Sequence, residues 1–184
     1  LHSLGRRRRA IAARVRARSW RLLHRGISVG AGAKAGSGCR LIIDPHARIV
    51  LGAGCEIDDG TTLAAYDEAR IVLGAGSFVG HRSTLAARRS IEIGARTFLA
   101  ELVSIRDHDH RVGLPPSAGA MDVEAVVVGD DVWIGSKATV LRGARIGDGA
   151  VIGANAVARG EIPPRSVSVG VPARVVRSLT ASDD

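Results

Sequence analysis

The chain has 184 residues, 3 % aromatic residues, 23 glycines and two cysteines, which suits one domain and excludes a disulfide framework or a ring-rich core of the globin or doubly wound kind. Its formal charge is +8, yet nine arginines and no acid lie in residues 1–26, and the rest holds 17 basic against 18 acidic residues. That balance excludes a nucleic-acid-binding body, and no run reaches the roughly 18 apolar residues of a membrane span.

Residues 1–26 come first. Arg6, Arg7, Arg8, Arg9, Arg14, Arg16, Arg18, Arg21 and Arg25 alternate with Ile11, Val15 and Leu22, with Trp20 and Leu23 nearby. The spacing predicts a basic amphipathic helix or arm. Four fates are open: packed on the first part of the body with its arginines in solvent, disordered, laid on an anionic membrane face, or, least supported because the body offers no basic face or aromatic platform, bound to nucleic acid. No apolar stretch follows the arginine run, so no signal peptide is recognised, and a first residue other than Met leaves room for a segment upstream.

A period of six then takes over. Leu51, Ile57 and Leu63 are six apart, as are Leu73, Val79 and Leu85, then Ile93, Leu99 and Ile105, and finally Val128, Ile134, Val140, Ile146 and Ile152. Glycine follows at Gly129, Gly135, Gly147 and Gly153, and a small or β-branched residue comes four on, at Val132, Ala138, Ala144, Ala150 and Ala156. Six fits neither a helix nor a half-buried strand. It is the hexapeptide repeat of a parallel β-helix, one short strand and one turn per hexad, three hexads per coil of a triangular prism. The gaps of ten from Leu63 to Leu73 and eight from Leu85 to Ile93 predict small corner loops. The gap of 23 from Ile105 to Val128 predicts either a five-residue insertion or a longer loop projecting at about 106–127. After Gly160, Ile162-Pro163-Pro164 and Gly170-Val171-Pro172 break the hexads and predict the C-terminal exit, where proline stops strand addition. Cys39 and Cys55 lack metal-ligand spacing and read as small core residues in a reducing cytoplasm.

The projecting loop opens with Arg106-Asp107-His108-Asp109-His110-Arg111. Two histidines and two acids in six residues admit three readings: a solvated polar loop, a zinc site of the kind a γ-class carbonic anhydrase builds on a β-helix, or a general base whose imidazole takes a proton near neutral pH. His2, His24, His46 and His81 form no second cluster, so no metal is expected.

Leu85–Gly94 (LAARRSIEIG), Ile105–His110 (IRDHDH), Val128–Ser136 (VGDDVWIGS), Val151–Ala154 (VIGA) and Val169–Arg177 (VGVPARVVR) together resemble the left-handed β-helix acyltransferases of the hexapeptide-repeat superfamily. The branch most similar holds galactoside and maltose O-acetyltransferases and the O-acetyltransferases of bacterial surface polysaccharides. The likeness covers about residues 40–178. It implies an all-β left-handed parallel β-helix at 27–178, after a basic helix or arm at 1–26 and before a short tail at 179–184. It implies a homotrimer with sites between subunits, and acetyl-CoA as co-substrate. By position His108 matches the catalytic base, with His110 auxiliary. Ser136 matches a backbone N–H that faces the thioester oxygen. Trp133 and Ala154 match neighbours of the pantetheine arm, and Arg174 and Arg177 match residues near the nucleotide phosphates.

The likeness also has departures. Where such enzymes commonly carry Thr-Lys, this chain has Arg159-Gly160, so Arg159 is the expected substitute. The acceptor-site asparagine of the galactoside enzymes falls at about Gly80 and a sugar-binding acid near Arg88, which weakens galactoside and maltose as acceptors. His81, Arg82, Arg88 and Asp107, with Arg89 beside them, are instead the expected acceptor contacts. The expectation is an O-acetyltransferase acting on a carbohydrate hydroxyl, in the cytoplasm or at the inner face of the plasma membrane. An N-acyltransferase on an amino sugar or antibiotic, and a non-catalytic scaffold with a membrane-docking arm, remain the alternatives.

Overall fold

The computed structural model describes residues 2–180, with side chains from residue 10 onward. The six-residue beat becomes three parallel sheets wound into a prism of about six coils, as expected for a left-handed β-helix. Face A stacks Ile27–Val29, Arg48–Leu51, Arg70–Leu73, Ser90–Ile93, Val126–Val128, Arg145–Ile146 and Glu161–Ile162. Face B runs from Lys34–Ala35 through Phe78–Val79, Phe98–Leu99, Trp133–Ile134 and Val151–Ile152 to Ser166–Val169. Face C runs from Arg40–Ile43 through Thr62–Ala65, Thr84–Ala87, Ser104–Arg106 and Thr139–Val140 to Val157–Ala158.

The residues that set the period fill the core. Leu51, Ile57, Leu63, Leu73, Leu85, Leu99, Ile105, Ile134 and Ile152 are each at most 1 % exposed, and burying one such side chain contributes about 1.5–3 kcal/mol. The beat starts a coil earlier than Leu51, with Ala35 buried and Val29 and Leu41 packed against the core. Corners need left-handed backbone. Along the A–B edge Gly54 (φ +68°) and Gly76 (φ +68°) supply it freely, whereas Arg96 (φ +54°) and Asp131 (φ +55°) adopt it as stacked neighbours joined by an ion pair of 2.6 Å.

Coil length varies, and the excess collects on one edge. A coil takes 22 residues from Ile49 to Ile71, 20 from Ile71 to Ile91, 35 from Ile91 to Val126 and 18 from Val128 to Ile146. The last is three bare hexads. The 35-residue coil carries the projecting loop, so the longer loop and not the five-residue insertion is what forms. It leaves the C–A edge as an antiparallel hairpin, His108–His110 against Met121–Val123, with a short 3-10 turn at Pro116–Ala118 near its tip.

The ends differ from expectation. Face strands continue after Gly160 as Glu161–Ile162 and past the prolines as Ser166–Val169, and the exit comes only after Val169, where Arg174–Ser178 folds back antiparallel on Ser166–Val169. At the other end α1 (His2–Leu23) packs Ala17 and Trp20 into the core cluster beside Ile27, Ala33 and Ala35, and the Arg16 guanidinium donates to the Ala35 carbonyl at 2.6 Å. The face that packs is therefore not the Ile11–Val15–Leu22 face, which points to solvent. Both cysteines are free, and burial pushes the Cys55 thiol up to about 12.

Candidate active site

The hairpin begins where the chain turns off face C, and Asp107 and His108 at its root are the buried part of the polar run. Asp107 has no exposed surface, and His108 keeps only 9 % of its own. A buried carboxylate must be satisfied, and this one is: Oδ1 accepts from the Arg88 backbone N–H at 2.8 Å, and Oδ2 from the Arg89 backbone N–H at 2.7 Å. Oδ1 also lies 2.9 Å from His108 Nδ1. Because the carboxylate can only accept, the proton of that contact sits on Nδ1, and Nε2 carries the lone pair. Asp107 was expected to touch the acceptor; within this chain it has no exposed surface, and its carboxylate is taken up by His108 Nδ1 and the Arg88 and Arg89 amides.

The walls around the imidazole come from the preceding coils. Tyr66, from the corner after Thr62–Ala65, stands edge-on to the His108 ring at 6.4 Å between centroids. The Arg88 guanidinium lies over the Tyr66 ring, 5.2 Å from its centroid, and pairs with Asp67 at 2.8 Å. Its Nε is buried without a partner. On the outer side Arg142, from the next coil, binds the hairpin through Asp109 at 3.3 Å and through Asp122 and Glu124 at 3.9 Å each. His110 and Arg111 are exposed, and Arg111 pairs with Asp122 at 3.0 Å.

The remaining expected residues gather elsewhere. Ser136 occupies the B–C edge, in a column with His81, Glu101 and Ala154, since each corner donates one backbone bond to the corner below: Leu102 to His81, Lys137 to Glu101, Asn155 to Ser136. The Glu101 carboxylate is held below the usual carboxylate range by the Ser136 hydroxyl beside it, its own backbone N–H, and nearby His81 and Lys137. Arg82 shares this column, adopts φ +55° and borders a cleft with Asp58, Asp59 and His81. Trp133 lies on face B, half-exposed, in register with Phe98, which stacks on Phe78 at 4.7 Å. Arg174 and Arg177 lie at the top of the same face, both exposed. Only Arg159 falls on the C–A edge with His108, two coils higher and exposed.

Within one chain the expected residues thus form two groups, separated by the width of face C. Six extended residues span roughly 15–20 Å, too far for one acetyl group to touch both. His81 and Arg82, expected beside His108, belong to the second group. Four residues were missed by reading the sequence: Tyr66, Asp67, Glu101 and Arg142. Glu101 could have been found by counting back one coil from Ser136. Tyr66 and Asp67 sit in the four-residue excess between Leu63 and Leu73, whose corner points at the hairpin only once coils are stacked.

Residues 125–160 match the family model described as bacterial transferase hexapeptide (six repeats). WbbJ of Escherichia coli K12, named for O-acetyl transfer in lipopolysaccharide biosynthesis, is 41 % identical over 98 residues, 48 % of this chain and 50 % of that protein. Galactoside O-acetyltransferase of the same strain is 35 % identical over 95 residues, 51 % of this chain and 47 % of the relative. The chain is similar to hexapeptide-repeat transferases over about half of its length. It spans about half the length of the two relatives. Among solved structures, a maltose O-acetyltransferase from Clostridium difficile 630 superposes with a TM-score of 0.60 at 26 % identity, over 85 % of this chain and 72 % of that one. The N-acyltransferase AntD from Bacillus cereus, in complex with dTDP and 3-hydroxybutyryl-CoA, superposes with a TM-score of 0.76 over 89 % of each chain; at 18 % identity that likeness shows the fold alone.

Proposed function

We propose that this chain is an O-acetyltransferase that moves an acetyl group from acetyl-CoA to a carbohydrate hydroxyl on a bacterial surface glycan or its precursor. The observation that carries the proposal is the buried Asp107–His108 pair at the root of the hairpin. A buried carboxylate on Nδ1 leaves Nε2 as the acceptor, which is what a general base requires. The names of WbbJ and galactoside O-acetyltransferase support O-acetyl transfer, and that of WbbJ supports a surface glycan.

Two half-sites on different edges call for two subunits. In the proposed homotrimer, the His108 edge of one prism faces the Ser136 edge of its neighbour, a closed cyclic contact. The coenzyme supplies the acetyl group as a thioester. His108 Nε2 takes the proton of the acceptor hydroxyl as that oxygen bonds to the acetyl carbon; the C–S bond breaks, and the proton passes to the departing sulfur. The Ser136 N–H from the neighbour receives the negative charge on the thioester oxygen, worth about 3 kcal/mol. The Ser136 hydroxyl, held by Glu101, is not the nucleophile. Trp133 and Ala154 border the pantetheine arm. Arg174, Arg177 and Arg159 meet phosphates, which suit the charge and forked donors of arginine. His110 is auxiliary. Arg88, with its orphaned Nε, contacts the acceptor from the His108 side, and His81 and Arg82 do so from the neighbour. The reaction belongs in the cytoplasm, beside the inner face of the plasma membrane.

Replacing His108 by Ala should lower turnover by a factor of about 100 to 10,000 while calorimetry shows CoA binding unchanged; near-normal turnover would refute the role. The likeness to AntD keeps N-acylation of an amino sugar as a second reading. Mass spectrometry of products from hydroxyl and amine acceptors separates the two. A chain that binds no acetyl-CoA would be a scaffold only.

A further inference from the structure

The N-terminal helix has two apolar faces, and the prism uses only one. At about 100° per residue, Ala13, Ala17 and Trp20 fall within an arc of about 60°. Ala17 and Trp20 are buried there against the first coil. Ile11, Val15 and Leu22 fall within an arc of about 40° on the diametrically opposite side. They are 60 %, 61 % and 89 % exposed, and Leu23 beside them is 73 % exposed. A helix that served only as a cap would have no use for aliphatic residues there. Arg14, Arg18 and Arg21 run along one side of this outward stripe, all exposed. No acid occurs in the chain before Asp44. The nearby acids Asp58 and Asp59 line a cleft with Ala10, Ala13 and Arg16, on the docked side of the helix.

We propose that the outward face of α1 docks the protein on a bilayer rich in anionic phospholipid. Ile11, Val15 and Leu22 enter the headgroup–acyl boundary, and the flanking arginines meet lipid phosphates. Apolar insertion combined with cationic flanks is what distinguishes a membrane-surface helix from a simple polyanion binder. Each arginine near a charged surface contributes about fivefold in partition, so three give about a hundredfold preference for anionic over neutral vesicles. The docking depends on nothing in the transfer reaction. In the trimer proposed above, parallel prisms bring three helices to one end, and their binding reinforces.

The test is co-sedimentation of the full chain with vesicles of phosphatidylcholine alone and with 30 mol % phosphatidylglycerol (about 0.1 M salt). The expected result is strong binding to the anionic vesicles and little to the neutral ones. The variant Ile11→Ser/Val15→Ser/Leu22→Ser, which keeps every charge and changes only exposed side chains, should bind the anionic vesicles at least about tenfold more weakly with an unchanged melting temperature. Arg14→Gln/Arg18→Gln/Arg21→Gln should lose the preference for anionic lipid. Equal binding to both vesicles, no binding to either, or full binding by the serine variant overturns the proposal. So does tighter binding to duplex DNA that the serine substitutions leave untouched.

Discussion

Asp107→Asn tests the candidate site most sharply, because the carboxylate has three donors and the carboxamide cannot accept from all of them. In the native chain Oδ1 serves Arg88 N–H (2.8 Å) and His108 Nδ1 (2.9 Å), while Oδ2 serves Arg89 N–H (2.7 Å). An Asn here has one oxygen and one NH2. If the oxygen takes the first position, the NH2 faces the Arg89 N–H, donor against donor. If it takes the second, the NH2 faces both the Arg88 N–H and Nδ1, and the ring must move its proton to Nε2 and cease to be a base. The first arrangement leaves a buried donor unsatisfied, at about 1–3 kcal/mol, which for a chain of this size lowers the melting temperature by roughly 2–12 °C. The second costs the reaction its base, a loss of about 100- to 10,000-fold in turnover. Stability should therefore fall in either arrangement, and turnover with it in the second, which leaves fewer donors unpaired because the NH2 can donate to Nδ1; the KM for acetyl-CoA stays within about twofold because no coenzyme contact changes. Acetyl-CoA hydrolysis, with water standing in for the acceptor, reads turnover through released thiol and needs no acceptor to be known. A native melting temperature, or a lowered turnover that His108→Ala does not share, would refute the reasoning, whereas a lowered melting temperature with turnover within about threefold of native would mean that the first arrangement forms and the Nδ1 proton is kept.

If each site is shared between subunits, His108→Ala and Ser136→Pro, each inactive alone, should complement when co-expressed, restoring about a quarter of native activity from random mixing around a ring; no recovery places the whole site in one chain. Arg142→Gln removes the cation held among Asp109, Asp122 and Glu124. Global stability should change by less than about 1 kcal/mol, while proteolysis within 111–119 quickens and turnover drops severalfold, both read by limited digestion and thiol release. Burial raises both thiols, that of Cys55 to about 12, so the native protein at pH 8 should resist iodoacetamide at Cys55 and both cysteines should label in guanidinium; fast native labelling of Cys55 would mean an open first half of the prism.

The fold was legible because its period is set by sterics that act residue by residue. A narrow prism admits an aliphatic every sixth position, and those positions are the buried ones, from Leu51 through Ile152. The first coil was harder to see, since Ala35 stands where a larger residue usually marks the beat. The last was hidden by Pro163 and Pro164, which occupy a corner and do not interrupt a strand. At the site, His108 and Asp107 were visible as a local cluster, but the direction of Asp107 was not, because its partners are backbone amides 18 and 19 residues away. Nor did the sequence reveal that the packed face of the helix is Ala17 and Trp20. Both apolar stripes have helical spacing, and only the first coil decides between them.

A β-helix restricts where chemistry can be placed, and this explains why the excess residues collect on one edge. Its interior is filled by its own repeat, so no ligand fits inside, and its faces and corners are flat or convex, so no single edge can surround a reacting group. Concavity must be added. Here it comes from corner insertions on the C–A edge at Tyr66–Ala69 and Arg88–Arg89, followed by the hairpin, while the later coils on face A take only 18 and then 16 residues. The insertions build a pocket wall around His108 and nothing around Ser136, whose edge stays plain. A plain edge is useless as a site alone; in the proposed homotrimer it would meet the built-up edge of another prism without clashing insertions of its own. The asymmetry between edges is thus what a head-to-tail ring needs, each subunit offering one built edge and one plain one.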